Sequence, residues 1–400
     1  QSLMADNLRV LIDARMLMGR FSGVARMVTR LIENLAIMPN VRVIALCGSE
    51  PYEPWASRSD FEKIVSDFSR KDRSPVRRLL WEAAKLRHWI ARSGADVFHA
   101  TWNTGVPFRC SVPSVLTVHD IIPWDEPVRG LSTRAARACY RYSLGASVRR
   151  AQRVAAVSGF TADQIARKVC VDPTQTRVIY NGVEVPKTIT GAAPRAERPY
   201  LLYVGGFEPR KNLEAVFGVM SRYWVQHDPA MELHLTGWAH QLGNAAKSAY
   251  EQLGHDSRIH FLGSPSDDEL AREYASATAL LMLSRAEGFG LPVIEAMAHG
   301  CPVIAARCGA LPEIVGGAGI LVDPDDNELI VSSIRELARL PGRSSELIAQ
   351  GRQRAENFTW KRATEAYLRE YRFAASNVAA KAKPACSSDP GSGRVVTGFH

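Results

Sequence analysis

No apolar run in the 400 residues approaches the roughly 18–20 needed to cross a bilayer. The chain opens Gln1-Ser2-Leu3-Met4-Ala5-Asp6 and enters an apolar stretch at 8–12, without a basic segment leading into a longer apolar one. The expectation is a soluble, cytoplasmic chain. Cysteine is scarce too. Cys47, Cys110, Cys139, Cys170, Cys301, Cys308 and Cys386 form no C-x-x-C pair, which argues against a thiolate metal cage and, at this chain length, a disulfide scaffold. Most lie in apolar stretches, where a free thiol packs as a small hydrophobe. Aromatic residues make up 8% of the chain and are not strung along a strand face, so no base-stacking nucleic-acid surface is expected.

What is present is ordinary globular composition, 46% hydrophobic and 23% charged, which excludes a collagenous, coiled-coil or largely disordered chain. At roughly 100–200 residues per domain, two domains are the natural division. Charge is lopsided: residues 1–183 carry 27 Lys and Arg against 16 Asp and Glu, and the remainder 23 against 25. The net charge of +9 therefore comes from the first half, which points that half to an anionic partner.

Short apolar runs at 8–12, 41–47, 95–100, 113–118, 152–157 and 177–180 read as buried parallel strands, with helical patterns such as 23–37, 75–92 and 131–149 between them. A second series of strands follows at 200–204, 231–235, 258–262, 279–283, 302–306 and 319–322. Two series of strand-then-helix units imply an α/β chain of two doubly wound, Rossmann-like domains. We place them at 1–185 and 200–358, joined by a Pro- and Gly-punctuated linker at 186–199. A helical pattern over 359–375 sets Trp360, Ala363, Tyr367, Leu368 and Tyr371 on one face, and either caps the second domain or crosses to the first. Residues 376–400 lack an apolar period and read as a flexible tail.

Parallel sheets bind ligands at the carboxyl ends of their strands, where loops meet helix N-termini. After 279–283 comes Glu287-Gly288-Phe289-Gly290-Leu291-Pro292, then a helix carrying Glu295. Two carboxylates eight residues apart can face one crevice, and Gly288 and Gly290 let backbone approach a ligand closely. Acceptor carboxylates beside bare amides suit a ligand with both hydroxyls and phosphates, such as a nucleotide sugar; Glu295 would otherwise serve as an early charge on the helix dipole. After 200–204 comes Gly205-Gly206-Phe207-Glu208-Pro209-Arg210-Lys211-Asn212. Two adjacent cations at a helix N-terminus oppose its dipole, so a diphosphate, or Glu208 locally, is expected to compensate. In the first half, the loop 19–23 feeds a helix but is neither G-x-G-x-x-G nor a P-loop. His119-Asp120 follows 113–118 and could exchange a proton or hydrogen bond with a bound sugar.

In this order the segments resemble the retaining GT-B glycosyltransferases of family GT4, whose E-x7-E signature is similar to Glu287 through Glu295. The resemblance extends over nearly the whole chain: the 19–23 loop, Val118-His119-Asp120, Ala156-Val157-Ser158, Tyr180-Asn181-Gly182-Val183, 205–212, Leu262-Gly263 and Trp360. It implies two Rossmann-like domains facing a central cleft, with the sugar nucleotide held mainly by the second. The implied catalytic positions are His119, Glu287, Lys211 and Arg210; the implied donor contacts are Gly23, Gly205, Gly206, Arg210, Lys211, Gly263, Glu287, Gly288, Phe289, Gly290, Leu291 and Glu295. Glu287 would hold sugar hydroxyls, Glu295 the ribose, and Arg210 and Lys211 the diphosphate. Many relatives carry Arg where this chain has Gly206, so neutralisation here falls on Arg210 and Lys211 alone. The resemblance implies no metal and no cofactor besides the sugar-nucleotide substrate.

The expected reaction is transfer of a hexose, best mannose from GDP-mannose, to a lipid-linked saccharide or polysaccharide precursor. A UDP-sugar donor is the alternative, and a catalytically silent GT-B binding protein the alternative of another class. Residues 70–92 carry Arg70, Lys71, Arg73, Arg77, Arg78, Lys85, Arg87 and Arg92 among Leu79, Leu80, Trp81, Leu86, Trp89 and Ile90. A basic helix with Trp on its apolar side resembles an interfacial membrane helix, so peripheral binding to anionic lipid on the inner face of the membrane is a further expectation; no nucleic-acid partner is expected.

Overall fold

The computed structural model describes residues 7–18, 23–50, 55, 58–125, 133–186 and 198–382. Most of loop 19–23, most of the linker 186–199 and the tail from 383 on fall outside the described residues. Strands β1 (Leu8–Asp13), β2 (Val41–Cys47), β3 (Glu62–Val65), β4 (Val97–Ala100), β5 (Ser114–Val118), β6 (Arg153–Ala156) and β7 (Thr176–Val178) form a first sheet. Strands β8 (Tyr200–Tyr203), β9 (Glu232–Leu235), β10 (Ile259–Phe261), β11 (Ala279–Met282), β12 (Val303–Ala306) and β13 (Ile320–Val322) form a second.

The orders are β3-β2-β1-β4-β5-β6-β7 and β10-β9-β8-β11-β12-β13, with every pairing parallel. The second sheet therefore has the doubly wound 3-2-1-4-5-6 order and the first the same order extended by β7, with switch points between β1 and β4 and between β8 and β11. The central strands are buried end to end, as their unbroken apolar runs require. One strand escapes the sequence pattern: β3 is a half-exposed edge strand with only Ile64 and Val65 to mark it.

The last helix runs Trp360–Ala382, so the first seven residues of the stretch expected to be a flexible tail, 376–382, are helical. Its face of Trp360, Ala363, Tyr367, Leu368 and Tyr371 is buried with β1, β2 and helix Gly23–Ala36 of the first domain, not with the second. Burial of so much aromatic surface needs the hydroxyls paired. Tyr371 Oη lies 2.8 Å from His99 Nδ1 and Tyr367 Oη 2.9 Å from Thr117 Oγ1, while His99 Nε2 lies 2.7 Å from Thr117 Oγ1. The apolar face continues the helix where composition alone ends it. At the crossover the chain passes itself: Val183 bridges Thr359, and a Cβ on Gly182 would sit 2.2 Å from the Trp360 nitrogen. Only glycine fits there.

The basic region 70–92 is helical at Pro75–Trp81 and Arg87–Arg92, with a π-helical turn Glu82–Leu86 between. Its tryptophans do not face outward. Trp81 is buried with Arg15 stacked 4.6 Å from its ring, and Trp89 is half-buried. Arg78 is buried beside Glu82 and Thr104. What the exposed side presents is Val76, Arg77, Leu80, Arg87 and Arg92.

Candidate active site

The loops after β8 and β11 leave the second sheet at its switch point, so 205–212 and 284–290 are neighbours although far apart in sequence. Pro209–Lys211 forms a 3-10 turn, Asn212 takes a left-handed conformation, and the helix begins at Leu213. Lys211 is thus held just before the helix, not inside it. Its Nζ lies 2.6 Å from Glu287 Oε1, and Arg210 Nη1 lies 3.3 Å from Glu287 Oε2. The acid paired directly with both cations is Glu287, while Glu208 adds its charge at Arg210. Burial pushes the Glu287 carboxyl up, but Lys211 and Arg210 outweigh it and hold the group below its ordinary range, ionised at neutral pH.

Gly290 adopts φ +97° and caps helix Leu291–Ala298, with Pro292 in the first turn. That helix buries Glu295, whose Oε2 accepts from Tyr274 Oη at 3.0 Å. The other oxygen pairs with Arg26, one turn into helix Gly23–Ala36 of the first domain; Arg26 also bonds Asp267 at 2.7 Å. Gly23 faces the same gap, since a Cβ on it would lie 3.2 Å from Leu291 Cδ1.

From the first domain, β5 delivers His119 and β4 the groups that fix it. Asn103 Oδ1 accepts from the His119 amide at 2.8 Å, and the Thr101 carbonyl lies 2.8 Å from His119 Nε2. A carbonyl only accepts, so Nε2 carries the proton and Nδ1 the lone pair. Burial pushes the ring down to about 4, leaving it neutral near pH 7. Asp120 beside it is raised by burial, with the positive charge of Arg210 opposing. The domains touch here: Ser158 Oγ donates to the Gly288 carbonyl at 2.7 Å, and the Glu313 carboxylate accepts from the Gly159 and Phe160 amides at 2.8 and 3.0 Å.

The remaining positions are placed less directly. The Gly205 amide donates to Thr236 Oγ1, and the Gly206 carbonyl accepts from Tyr203 Oη. Gly263, at φ +66°, pairs with Gly237 beside Trp238, at the ends of β9 and β10. Phe289 is buried between Tyr180 and Phe358, so a ligand at this position would meet its backbone and not its ring. Arg26, Tyr274 and Glu313 were not singled out in the sequence; Ser158 was, only as part of the Ala156-Val157-Ser158 segment and without a role. Arg26 had a signal, being three residues past Gly23 on a helix that starts at the gap. Tyr274 had none, because its bond to Glu295 is purely tertiary.

Two doubly wound domains with acids and cations gathered where their switch points face each other make the architecture of a GT-B glycosyltransferase. Residues 187–354 match the family described as "Glycosyl transferases group 1", and residues 21–186 match "Glycosyltransferase Family 4". An MMP alpha-(1->4)-mannosyltransferase of Mycolicibacterium hassiacum is 32% identical over 304 residues, 72% of this chain and 73% of that one. O-antigen chain mannosyltransferase B of Escherichia coli is 27% identical over 312 residues, 74% of this chain and 80% of that one. The fold matches sucrose-phosphate synthase from Thermosynechococcus elongatus with a TM-score of 0.75 at 21% identity, over 93% of this chain and 100% of that one. The chain belongs to the GT4 glycosyltransferase family and is a hexosyltransferase.

Proposed function

We propose that the protein transfers mannose from GDP-mannose, with retention of anomeric configuration, to a lipid-linked saccharide or polysaccharide precursor. The observation that carries this reading is the Lys211–Glu287–Arg210 cluster at the β8–β11 switch point, opposite His119. As the bond between the anomeric carbon and the diphosphate oxygen breaks, negative charge grows on that oxygen. Cations fixed beforehand by a buried carboxylate stabilise it without reorganising, and one such contact is worth about 10²–10³ in kcat. Arg210 and Lys211 supply that charge from the chain itself. Glu287 accepts from donor-sugar hydroxyls and Glu295 from the ribose. The acceptor hydroxyl attacks the face that the diphosphate leaves, its oxygen bonding the anomeric carbon as the carbon–diphosphate bond breaks and its proton passing to the departing diphosphate oxygen. His119, neutral and protonated on Nε2, has only Nδ1 left to accept from a sugar hydroxyl. Mannose is favoured by the mannosyltransferase names of both relatives, and a saccharide acceptor by the O-antigen chain in the name of one.

Thermal shift with GDP, UDP and ADP, followed by product analysis with the matching sugar nucleotides, tests the donor. The expected result is the largest stabilisation by GDP and transfer of mannose. Preference for UDP and transfer of another hexose would overturn the donor assignment, and donor hydrolysis without transfer to any saccharide would overturn the acceptor.

The acceptor side faces anionic lipid through the helix Pro75–Trp81. Val76 is 51% and Leu80 66% exposed, and Tyr142 on the neighbouring helix Arg134–Arg150 is 75% exposed. Arg77, Arg87, Arg92, Arg134 and Arg141 are exposed in the same region. Apolar side chains ringed by arginines suit the headgroup boundary, even though the tryptophans turn inward. Co-sedimentation with vesicles of acidic phospholipid is expected to exceed that with neutral vesicles, and Leu80→Glu to reduce it. Equal binding to both overturns the assignment.

A further inference from the structure

A second polar cluster lies on β9 and β10, at the far edge of the second sheet. Glu232 and His234 are two residues apart on one strand, so their side chains leave the sheet on the same face. The parallel register sets His260 opposite His234, which brings its ring to that face as well. The ligand atoms of the three residues all lie within 4.8 Å of one another.

Their hydrogen bonding fixes which atoms converge. His234 Nδ1 lies 2.9 Å from Glu273 Oε2. A carboxylate accepts, so Nδ1 carries a proton, and Nε2 is the ring atom that would be left to bind an ion. That nitrogen lies 3.5 Å from Glu232 Oε2. His260 Nε2 lies 3.5 Å from the same oxygen, and is buried without a hydrogen-bond partner. The other Glu232 oxygen is taken by Arg198 at 3.3 Å, and the Tyr200 ring stacks on His234 at 3.9 Å with an 11° tilt. An unprotonated imidazole nitrogen facing a carboxylate oxygen is repelled unless a proton or a cation lies between them. Zinc bonds imidazole and carboxylate at about 2.0–2.2 Å in a tetrahedron, which places neighbouring ligand atoms about 3.3–3.6 Å apart. The observed 3.5 Å spacing fits that edge and is long for a hydrogen bond.

We propose that Glu232, His234 and His260 bind zinc, or a divalent ion of the same nitrogen and oxygen preference, with Glu273 as the outer carboxylate that sets the His234 tautomer. A histidine ligand whose second nitrogen donates to a carboxylate is the arrangement such sites use to orient the ring and raise its basicity. The ion ties the edge strand β10 to β9. Through Glu273 it also braces the helix Asp267–Ser276, whose next residue, Tyr274, holds Glu295. Three protein ligands leave the fourth tetrahedral position to water, and the ion acts by bracing the sheet edge, since its ligands are distinct from the Lys211–Glu287 cluster.

The test uses the full chain without a histidine tag, stripped of metal, dialysed against zinc and then against buffer. Metal analysis is expected to give one zinc per chain, zinc to raise Tm, and cobalt to give the visible absorption of a tetrahedral site. His260→Gln and His234→Gln are expected to abolish all three, and Glu273→Gln to weaken affinity about 10–100-fold. The proposal is overturned if the wild-type chain retains neither zinc nor cobalt, which would leave a protonated His234 between two carboxylates. It is overturned equally if the folded His234→Gln and His260→Gln variants bind as the wild type does. The wild-type cobalt spectrum decides the matter even if both variants misfold.

Discussion

Gly288 is pressed against the backbone of His119: a Cβ on the glycine would lie 1.9 Å from the His119 carbonyl oxygen. The two residues belong to different domains, and the Gly288 carbonyl is itself held by Ser158 Oγ at 2.7 Å. The loop bearing Glu287 and the loop bearing His119 are thus set by one backbone-to-backbone contact. Gly288→Ala must part them. Because a shift of about 1 Å at a reacting centre costs on the order of 10²-fold, turnover is expected to fall by at least that factor. Each domain keeps its own core, so circular dichroism should stay as in the wild type. Unchanged kcat in the folded variant would mean that this contact does not set the reacting geometry.

Lys211→Ala removes the nearest counter-charge from a carboxylate that is 8% exposed. If Lys211 faces the leaving diphosphate, kcat should drop about 10²–10³-fold. The remaining partner, Arg210, is farther from Glu287, so the Glu287 carboxyl should rise from its lowered value. The acidic limb of the pH–rate profile is then expected to move to higher pH. A variant with wild-type kcat would remove Lys211 from the reaction.

Tyr274→Phe deletes one hydrogen bond to Glu295 while leaving Arg26 in place. Losing a hydrogen bond to a charged group costs about 1.5–3 kcal/mol. Tyr274 acts only through Glu295, which is assigned to the ribose, so the loss should appear as a donor KM raised about tenfold or more with kcat nearly unchanged. Steady-state kinetics against donor separate the two. An equal fall in kcat would place Glu295 nearer the reacting bond than proposed.

Much of this architecture was legible because buried parallel strands must be apolar throughout. The runs at 41–47, 113–118 and 279–283 could hardly be anything else, and their alternation with helices dictates the doubly wound order. The rule that parallel sheets bind ligands at the carboxyl ends of their strands then pointed to the loops carrying Arg210, Lys211 and Glu287 without any distance being known. What stayed hidden depends on which parts meet. β3 carries no apolar run because it is an exposed edge. Trp81 turned inward because Arg15, far away in sequence, offered it a stacking partner. The last helix reached Ala382, since its early turns are anchored on a sheet the local sequence does not reveal. Arg26 and Tyr274 converge on Glu295 from two different domains, a meeting no spacing encodes.

Acid should loosen the joint between the last helix and the first sheet. His99 is fully buried between Thr117 and Tyr371, and burial, with a smaller push from His119, lowers it to about 3. In the unfolded chain its pKa is about 6.5. Between those values the unfolded state binds a proton that the folded state refuses, so stability falls as pH drops through that window and is untouched above it. The slope from one such histidine is about 1.4 kcal/mol per pH unit. Urea unfolding at pH 7.5, 6 and 5 should therefore show stability lost on acidification, and His99→Gln should flatten the loss by about that slope while lowering stability at pH 7.5. A variant that loses stability with acid as steeply as the wild type would show that His99 is not the group refusing the proton.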